Sequence, residues 1–579
     1  MTANTKWESD IREIVRKYAL QNALEYKGNG KSSSVLGRIM SERKDLRVRA
    51  KELREFVEEE VYIANKLSSE KGIAHLRNIL ADKNPDALVR KKQERRTGLP
   101  ELPNSAEMKV VLRFAPNPNG PLTLGHSRGV VINSQFAEKY EGKVILRFDD
   151  TDTKIKPPLV DAYRWIEEEY EWITGRSADL VIRASERMPL YLEYAEKMIE
   201  KGYGYVCKCS ASEFKKLRDK GRGSPYRDRS VDENLIDWRK MINGSMKEGE
   251  AVVRVRTSLD LPNPALRDWP ALRIQHKEHP IVGEKYKVWP LLDFQSAIED
   301  HEQGVTHIIR GKDLMDSTRK QKLLYEHFDW KYPETLYWGR VKVFEFGGFS
   351  TSGMRESISK GKYSDWDDIR LPTIKSLRRR GFNPTSLTEF WLDLGLTQKD
   401  ISVSMKTIES FNIKKIDATT PRRSFVRSPV EVEIDYGVNK SDIPGVLKLA
   451  NHPEGTVRGD RKWKIGEEKE LAYVEQEDIM GKTEFRLKDF ADISLKGNIG
   501  YIDSIERSDK RPIIHWITGD IAREALLYVP DGDKISTYRG LLENYDLKEG
   551  HIYQLERIGF VKVENYPKEG IIEMVWLHG

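Results

Sequence analysis

The stretch RFAPNPNGPLTLGHSRG, Arg113 to Gly129, decides how this chain is read. The apolar run Val110-Val111-Leu112 leading into it reads as a buried strand. A loop of Pro, Asn and Gly follows, and Leu124-Gly125-His126 begins a segment with helical character. Strand, glycine-bearing turn and helix start together present backbone N–H groups and a helix N-terminus to phosphate. Gly125 has no Cβ, so a ligand can lie close against the backbone there. His126 adds a ring donor at the same helix start. An ordinary strand-to-helix turn with a surface histidine would carry the same residues, so the rest of the chain must decide.

With 579 residues the chain is too long for one hydrophobic core, which predicts three or more domains. A hydrophobic content of 38% with 9% aromatics supports globular folding. The net charge of +6 is small against 98 basic and 92 acidic residues, so a polyanionic partner would have to be met by local clusters of Lys and Arg. The two cysteines, Cys207 and Cys209, argue against a disulfide framework and fit a reducing compartment. No well-spaced histidine pair accompanies them, and no structural zinc is expected. The N-terminus lacks an apolar signal core and no run of about 18 apolar residues occurs. The expectation is a soluble cytoplasmic protein with no membrane contact.

Residues 1–105 read as a helical, highly charged appended domain. Ile11, Ile14, Val15 and Tyr18 fall on one helix face, and Leu53, Phe56, Val57 and Ile63 on another. Its boundary falls at Lys91-Lys92-Gln93-Glu94-Arg95-Arg96 and the prolines Pro100 and Pro103. Residues 106–345 alternate β-like runs with helices, the pattern of a Rossmann-type parallel sheet, with an α+β insertion at about 205–290. Strands are predicted at Val110–Phe114, Val144–Phe148 and Thr306–Ile309. Residues 346–422 form a loop and a helical connecting region. From 423 to 579 the texture becomes period-2 alternation, as at Val430, Val432 and Ile434 and again at Phe485 and Leu487, which predicts C-terminal antiparallel β-barrels. The fold class is multidomain α/β.

Four further blocks carry chemistry. In Leu146-Arg147-Phe148-Asp149-Asp150-Thr151-Asp152 the acids follow a buried strand, where open α/β sheets bind ligands; a helix cap or a turn would look alike. In Thr306-His307-Ile308-Ile309-Arg310-Gly311, Arg310 ends an apolar strand in a poorly solvated place. It needs an anionic partner, either a structural acid or a ligand carboxylate. The loop Phe349-Ser350-Thr351-Ser352-Gly353-Met354-Arg355 offers hydroxyl and backbone donors to phosphate, or is a flexible surface loop. In Gly223-Ser224-Pro225-Tyr226-Arg227-Asp228-Arg229-Ser230 arginines interleave with a tyrosine, which suits a nucleic-acid backbone and equally a solvated helix start.

Taken in order, these blocks resemble the class I aminoacyl-tRNA synthetases of the glutamyl/glutaminyl subfamily, and within it the archaeal-type glutamyl-tRNA synthetases. PNPNGPLTLGH is similar to the HIGH signature, RFDDTD to the segment whose first acid binds the substrate ammonium group, and SPYRDRS to the acceptor-stem-binding insertion. Trp366-Asp367-Asp368 through Leu377-Arg378-Arg379-Arg380-Gly381 resembles the WDDPRMPTISGLRRRG segment, and 350–355 takes the place of the KMSKS loop. The resemblance implies ligation of L-glutamate to tRNA(Glu) through glutamyl-adenylate, using ATP with its Mg²⁺. tRNA(Gln) is a second candidate acceptor, and the N-terminal helices are a candidate site for a protein partner.

It further implies that His126, Thr123, Ser350, Thr351, Ser352 and Arg355 act in catalysis, with Gly125, His126 and Arg340 on ATP. Arg113, Asp149 and Arg310 would bind glutamate, while Tyr226, Arg227, Arg229, Arg378 and Arg379 would contact tRNA and the barrels would read the anticodon. Three departures stand out: Thr123 replaces the first histidine of HIGH, no tyrosine occurs beside Leu292, and the KMSKS-like loop lacks its lysines, with Arg355, Lys360 and Lys362 the substitutes downstream. Two rivals remain open, a glutaminyl-tRNA synthetase and a tRNA-binding paralogue without catalysis. Arg310 votes for glutamate, because glutamine would leave it unpaired and desolvated.

Overall fold

The computed structural model describes residues 7–88, 98–347, 350–454, 457 and 459–579; the stretch Lys91–Arg96 and Phe349 lie outside the described residues. The chain forms two compact units, Met1–Arg96 and Thr97–Gly579. In the first, four helices, α1 (Ser9–Glu25), α2 (Ser32–Glu42), α3 (Ala50–Lys71) and α4 (Ile73–Lys83), bury Ile11, Val15, Leu53, Phe56, Val57 and Leu76 in a common core. Ile63, expected on that face, is instead partly exposed, and Val61 and Ala64 take the inward positions.

The second unit opens with β1 (Val111–Phe114), α5 (Leu124–Lys139), β2 (Lys143–Phe148), α6 (Val160–Thr174), β3 (Leu180–Arg183) and α7 (Met188–Glu200). β1, β2 and β3 pair in parallel. An excursion follows: β4 (Gly204–Cys207), α8 (Ala211–Asp219), α9 (Val231–Ile242), β5 (Val252–Val255), β6 (Pro270–Ile274) and β7 (Val288–Pro290), whose strands make an antiparallel sheet. After α10 (Leu292–Glu302) the chain returns as β8 (His307–Gly311), α11 (Met315–Phe328) and β9 (Glu334–Trp338), with β8 and β9 parallel. Thr306 joins β8 to the free side of β1: its N–H donates to the Val111 carbonyl at 2.9 Å and its hydroxyl accepts from the Val111 N–H at 2.9 Å. The strand order 3-2-1-8-9 therefore reverses direction beside β1, and the ends of β1, β2 and β8 open one crevice.

Helices α12 (Thr351–Ser359), α13 (Ile374–Arg380), α14 (Pro384–Leu394) and α15 (Met405–Ile416) lead to two seven-stranded sheets. Each sheet is drawn nearly shut by one short segment that serves both of its edges. Arg422–Arg423 and Phe425–Arg427, separated by Ser424, lie at opposite edges of one sheet; Ile513–Ile514 and Trp516–Thr518, separated by His515, do the same in the other. The two seams meet where the Phe425 N–H donates to His515 Nε2 at 3.2 Å.

Two devices set the turn between β1 and α5. Gly120 is required by close approach, since a Cβ would lie 2.6 Å from the Thr351 methyl and 2.8 Å from the Trp366 ring. Beyond it, the N–H of Leu122 donates to buried Glu169 at 2.6 Å, and Leu122 and Leu124 bond to Ile374 and Pro372. Burial pushes the Glu169 carboxyl up to about 8, against the Leu122 bond and the charges of Lys375 and Arg378. Between the ordinary carboxyl range and pH 8 the folded state keeps this proton and the unfolded state loses it, so stability from this group falls as pH rises, by up to about 1.4 kcal/mol per unit. Glu169→Gln, which preserves the acceptor, should gain on the parent protein steadily from pH 5 to 8 in urea denaturation; a pH-independent difference would refute this.

Candidate active site

A cleft of about 880 Å³ opens at the crevice where β1, β2 and β8 end. At one end stands a buried ionic cluster. Arg147, fully buried on β2, donates from Nε to Asp149 Oδ1 at 2.8 Å, from one terminal nitrogen to Asp300 Oδ1 at 2.7 Å, and from the other to Ser296 Oγ at 2.7 Å. Arg113 reaches the same Asp300 at 3.2 Å. Burial opposes the Asp300 carboxylate, but Arg113, Arg147 and Arg310 outweigh it and hold its pKa below the usual range. Asp149 also accepts from Gln295 at 2.9 Å, and both bonds land on Oδ1, which leaves Oδ2 for a ligand.

Arg310 completes the cluster without a direct acidic partner among the described residues. It donates to Thr318 Oγ1 at 3.3 Å and Gln321 Oε1 at 3.0 Å, and its buried Nε has no partner among the described residues. Burial and the repulsion of Arg113 hold its pKa below the usual arginine value. Three guanidinium groups, Arg113, Arg147 and Arg310, thus surround two carboxylates, Asp149 and Asp300. The neighbouring Glu299 is neutralised by Arg187 at 2.7 Å. A surplus positive charge in a desolvated place calls for an anion. Among the described residues no tyrosine lines the cleft beside Leu292, which is 47% exposed.

The other end is built from helix N-termini. Thr123 caps α5, its Oγ1 accepting from the His126 N–H at 3.4 Å while its own N–H donates to His126 Nδ1 at 3.2 Å. The histidine ring therefore closes a capping box. Burial, then the charge of Lys156, push its pKa down to about 4. With Nδ1 accepting, the neutral ring carries its proton on Nε2. Gly125 is exposed beside it. Opposite, Ser350 caps α12, accepting from the Gly353 N–H at 3.1 Å, and Thr351 and Ser352 form its first turn on the cleft wall. The segment read as a loop is thus a helix start, whose free N–H groups suit an anion.

The first two motifs are stitched together by the Asp149 N–H bonding to the Pro116 carbonyl at 3.0 Å and by Asn117 donating to the Asp149 carbonyl at 3.0 Å. Several expected residues are not brought to the cleft. Arg340 is exposed and its N–H donates to Asp400 at 2.7 Å. Arg355 turns to the Pro157 carbonyl at 3.0 Å, Lys360 pairs with Glu356, and Lys362 with Asp533. Arg227 is held by buried Asp268 at 2.9 Å and Arg229 by Asp237 at 2.5 Å, so both brace the insertion, and Tyr226 packs against Tyr205, Cys207 and Phe214. Cys207 and Cys209 both face Ser224 Oγ, at 3.3 and 3.4 Å. Arg379 is engaged by Glu564, whereas Arg378 is exposed. Sequence reasoning missed Arg147, Gln295, Asp300 and Lys156. Arg147 was visible as a charge inside an apolar strand; Lys156 sits in a loop with no distinguishing pattern.

A family model described as "tRNA synthetases class I (E and Q), catalytic domain" matches residues 109–418, and one for the "anti-codon binding domain" of the same class matches 420–512. The glutamate–tRNA ligase of Methanothrix thermoacetophila is 42% identical over 568 residues, covering 97% of this chain and 98% of the relative. That of Archaeoglobus fulgidus is 42% identical over 565 residues, 96% and 98% of the two chains. The ligase of Thermococcus kodakarensis is 41% identical over 579 residues, 97% and 99%.

Arg147→Met would leave Asp149 without its ion-pair partner and Asp300 with Arg113 alone, and should cost about 3–5 kcal/mol in urea unfolding. In ¹⁵N-detected NMR, His126 should remain the Nε2–H tautomer from pH 8 down to about 5; a midpoint near 6.5 would contradict the burial argument.

Proposed function

This chain belongs to the class I tRNA synthetases of the glutamate and glutamine group, and we propose that it ligates L-glutamate to tRNA(Glu) at the expense of ATP. The observation that carries the choice of amino acid is Arg310, buried, short of an acidic partner and aimed into the cleft. A γ-carboxylate would neutralise the surplus charge it creates with Arg113; a γ-amide would not. Asp149, presenting Oδ2, takes the α-ammonium group.

The nucleotide then lies toward Gly125 and His126, its phosphates between the starts of α5 and α12. His126 Nε2 and the Ser350–Ser352 turn donate to phosphate oxygens. Mg²⁺ would be held by the phosphate oxygens of the nucleotide, where it would neutralise charge. A glutamate α-carboxylate oxygen bonds to the α-phosphorus, and the bond to the bridging oxygen breaks with its electrons leaving on pyrophosphate. The 2′-hydroxyl of the terminal adenosine of tRNA then attacks the acyl carbon and AMP departs. No protein nucleophile is needed; positioning and charge neutralisation suffice. The 204–290 insertion would receive the acceptor end and the barrels the anticodon loop, with exposed Arg378 available to the phosphate backbone.

Labelled glutamate and glutamine, each offered with tRNA(Glu) and tRNA(Gln) transcripts, test the proposal. Glutamate should be attached to tRNA(Glu), and the tRNA(Gln) arm decides the second acceptor; failure to charge any transcript with glutamate would sink it. Arg310→Gln should lower kcat/KM for glutamate by about 10²–10³-fold and narrow the preference over glutamine.

A further inference from the structure

A class I activation step sheds pyrophosphate, and charge builds on that group as the bond breaks. Residues 350–355 contain no lysine, and the nearest downstream lysines are spent elsewhere, Lys360 on Glu356 and Lys362 on Asp533. Arg355 is turned away, to Pro157. Arg113 and Arg310 belong to the opposite end of the cleft, and Arg273 is held by Asp152 at 3.0 Å.

Among the described residues one cation remains on the cleft wall at the end proposed for the phosphates. Lys156 lies on the cleft wall with Thr123, His126 and Ser350–Ser352, and its ammonium group is close enough to lower the affinity of His126 for a proton. It is exposed and has no hydrogen bond or ion pair among the described residues. Its neighbour Lys154, by contrast, is tied to Glu248 at 3.0 Å.

The segment that carries Lys156 is anchored to both sides of the phosphate end. Its backbone is fixed at the start by Asp152, which accepts from the N–H groups of Lys154 and Ile155 at 3.1 and 3.0 Å. The Leu159 N–H donates to Pro118 in the glycine-bearing turn at 2.8 Å, and Arg355 of α12 donates to Pro157 at 3.0 Å. The backbone is thus set while the side chain stays free, the condition for a flexible point charge that follows a moving phosphate.

We infer that Lys156 is the catalytic cation that holds the pyrophosphate leaving group, in place of the lysines missing from 350–355, and that Arg355 is a positioning residue that acts through the Pro157 carbonyl. This rests on the ligase reading above. The Lys156 ammonium transfers no proton: the α-phosphorus gains the carboxylate oxygen, the bridging oxygen leaves with its electron pair, and the ammonium neutralises it. A lysine on the loop after β2 thereby does the work from the wall facing α12.

The test uses the full-length protein with tRNA(Glu), glutamate and ATP, following pyrophosphate release, together with inhibition by inorganic pyrophosphate and, separately, by AMP. Lys156→Ala should lower kcat by about 10²–10³-fold with KM for glutamate within about threefold. It should weaken inhibition by pyrophosphate at least tenfold while leaving inhibition by AMP unchanged, and Lys156→Arg should recover part of the rate. Arg355→Met should show a smaller loss that vanishes in the Lys156→Ala background, because it acts through that lysine. Parent-like kcat and pyrophosphate inhibition in Lys156→Ala would overturn the assignment, as would equal weakening toward AMP. A parent protein that releases no pyrophosphate would instead overturn the ligase reading.

Discussion

The buried Arg147 guanidinium is the constraint on which the cleft depends. It joins β2 to α10 through Asp300 and Ser296 and fixes the rotamer of Asp149 at the mouth of the sheet. In a desolvated place an unmatched charge is costly, and here the match is incomplete. Arg113 shares Asp300 with Arg147, and among the described residues Arg310 has only neutral oxygens. The remaining positive charge is a stored demand for an anion, held in place by the same bonds that hold the fold.

The end of the cleft at the starts of α5 and α12 follows a different physical rule. Its donors are largely neutral: two helix N-termini, a hydroxyl cap on each, and an imidazole kept uncharged by burial. Rigid dipoles stabilise developing charge without reorganising. Thr123, an oddity against the HIGH pattern, is a natural N-cap, and its hydroxyl and N–H bind His126 from both sides. The threonine thus orients the surviving histidine. The turn itself is held by Glu169 and by the 372–374 segment, so the donors are fixed before any ligand arrives.

Basic clusters proved the least transparent features. Arg378, Arg379 and Arg380 are consecutive, yet they have three fates. Arg378 is exposed, Arg379 is bidentate to Glu564, and Arg380 is buried against the carbonyls of Trp576 and Leu577, where burial brings its pKa down to about 10. Gly381, left-handed at φ 103°, ends the helix where a Cβ would press on Ile552 at 3.2 Å. Two of these arginines therefore dock α13 onto a barrel. Arg227 and Arg229 are spent likewise within the insertion.

Local patterns were readable from the chain because their causes are local. Apolar runs marked β1, β2 and β8 to within a residue or two, and period-2 alternation marked the barrels, whereas the caps that Thr123 and Ser350 make showed only in the structure. Asp149 and Arg310 were legible as charges at strand ends. Residue type alone did not reveal that Asp300, 187 positions from Arg113, serves two arginines, that Arg340 faces solvent, or that Lys156 joins His126 on the cleft wall. Those facts depend on how distant segments pack and on which acid reaches which base first. The sequence by itself determined the elements and their chemical inventory. Only the tertiary structure decided which charges are spent on the fold and which are left for a ligand, because a charge's availability depends on partners that sequence separation does not reveal.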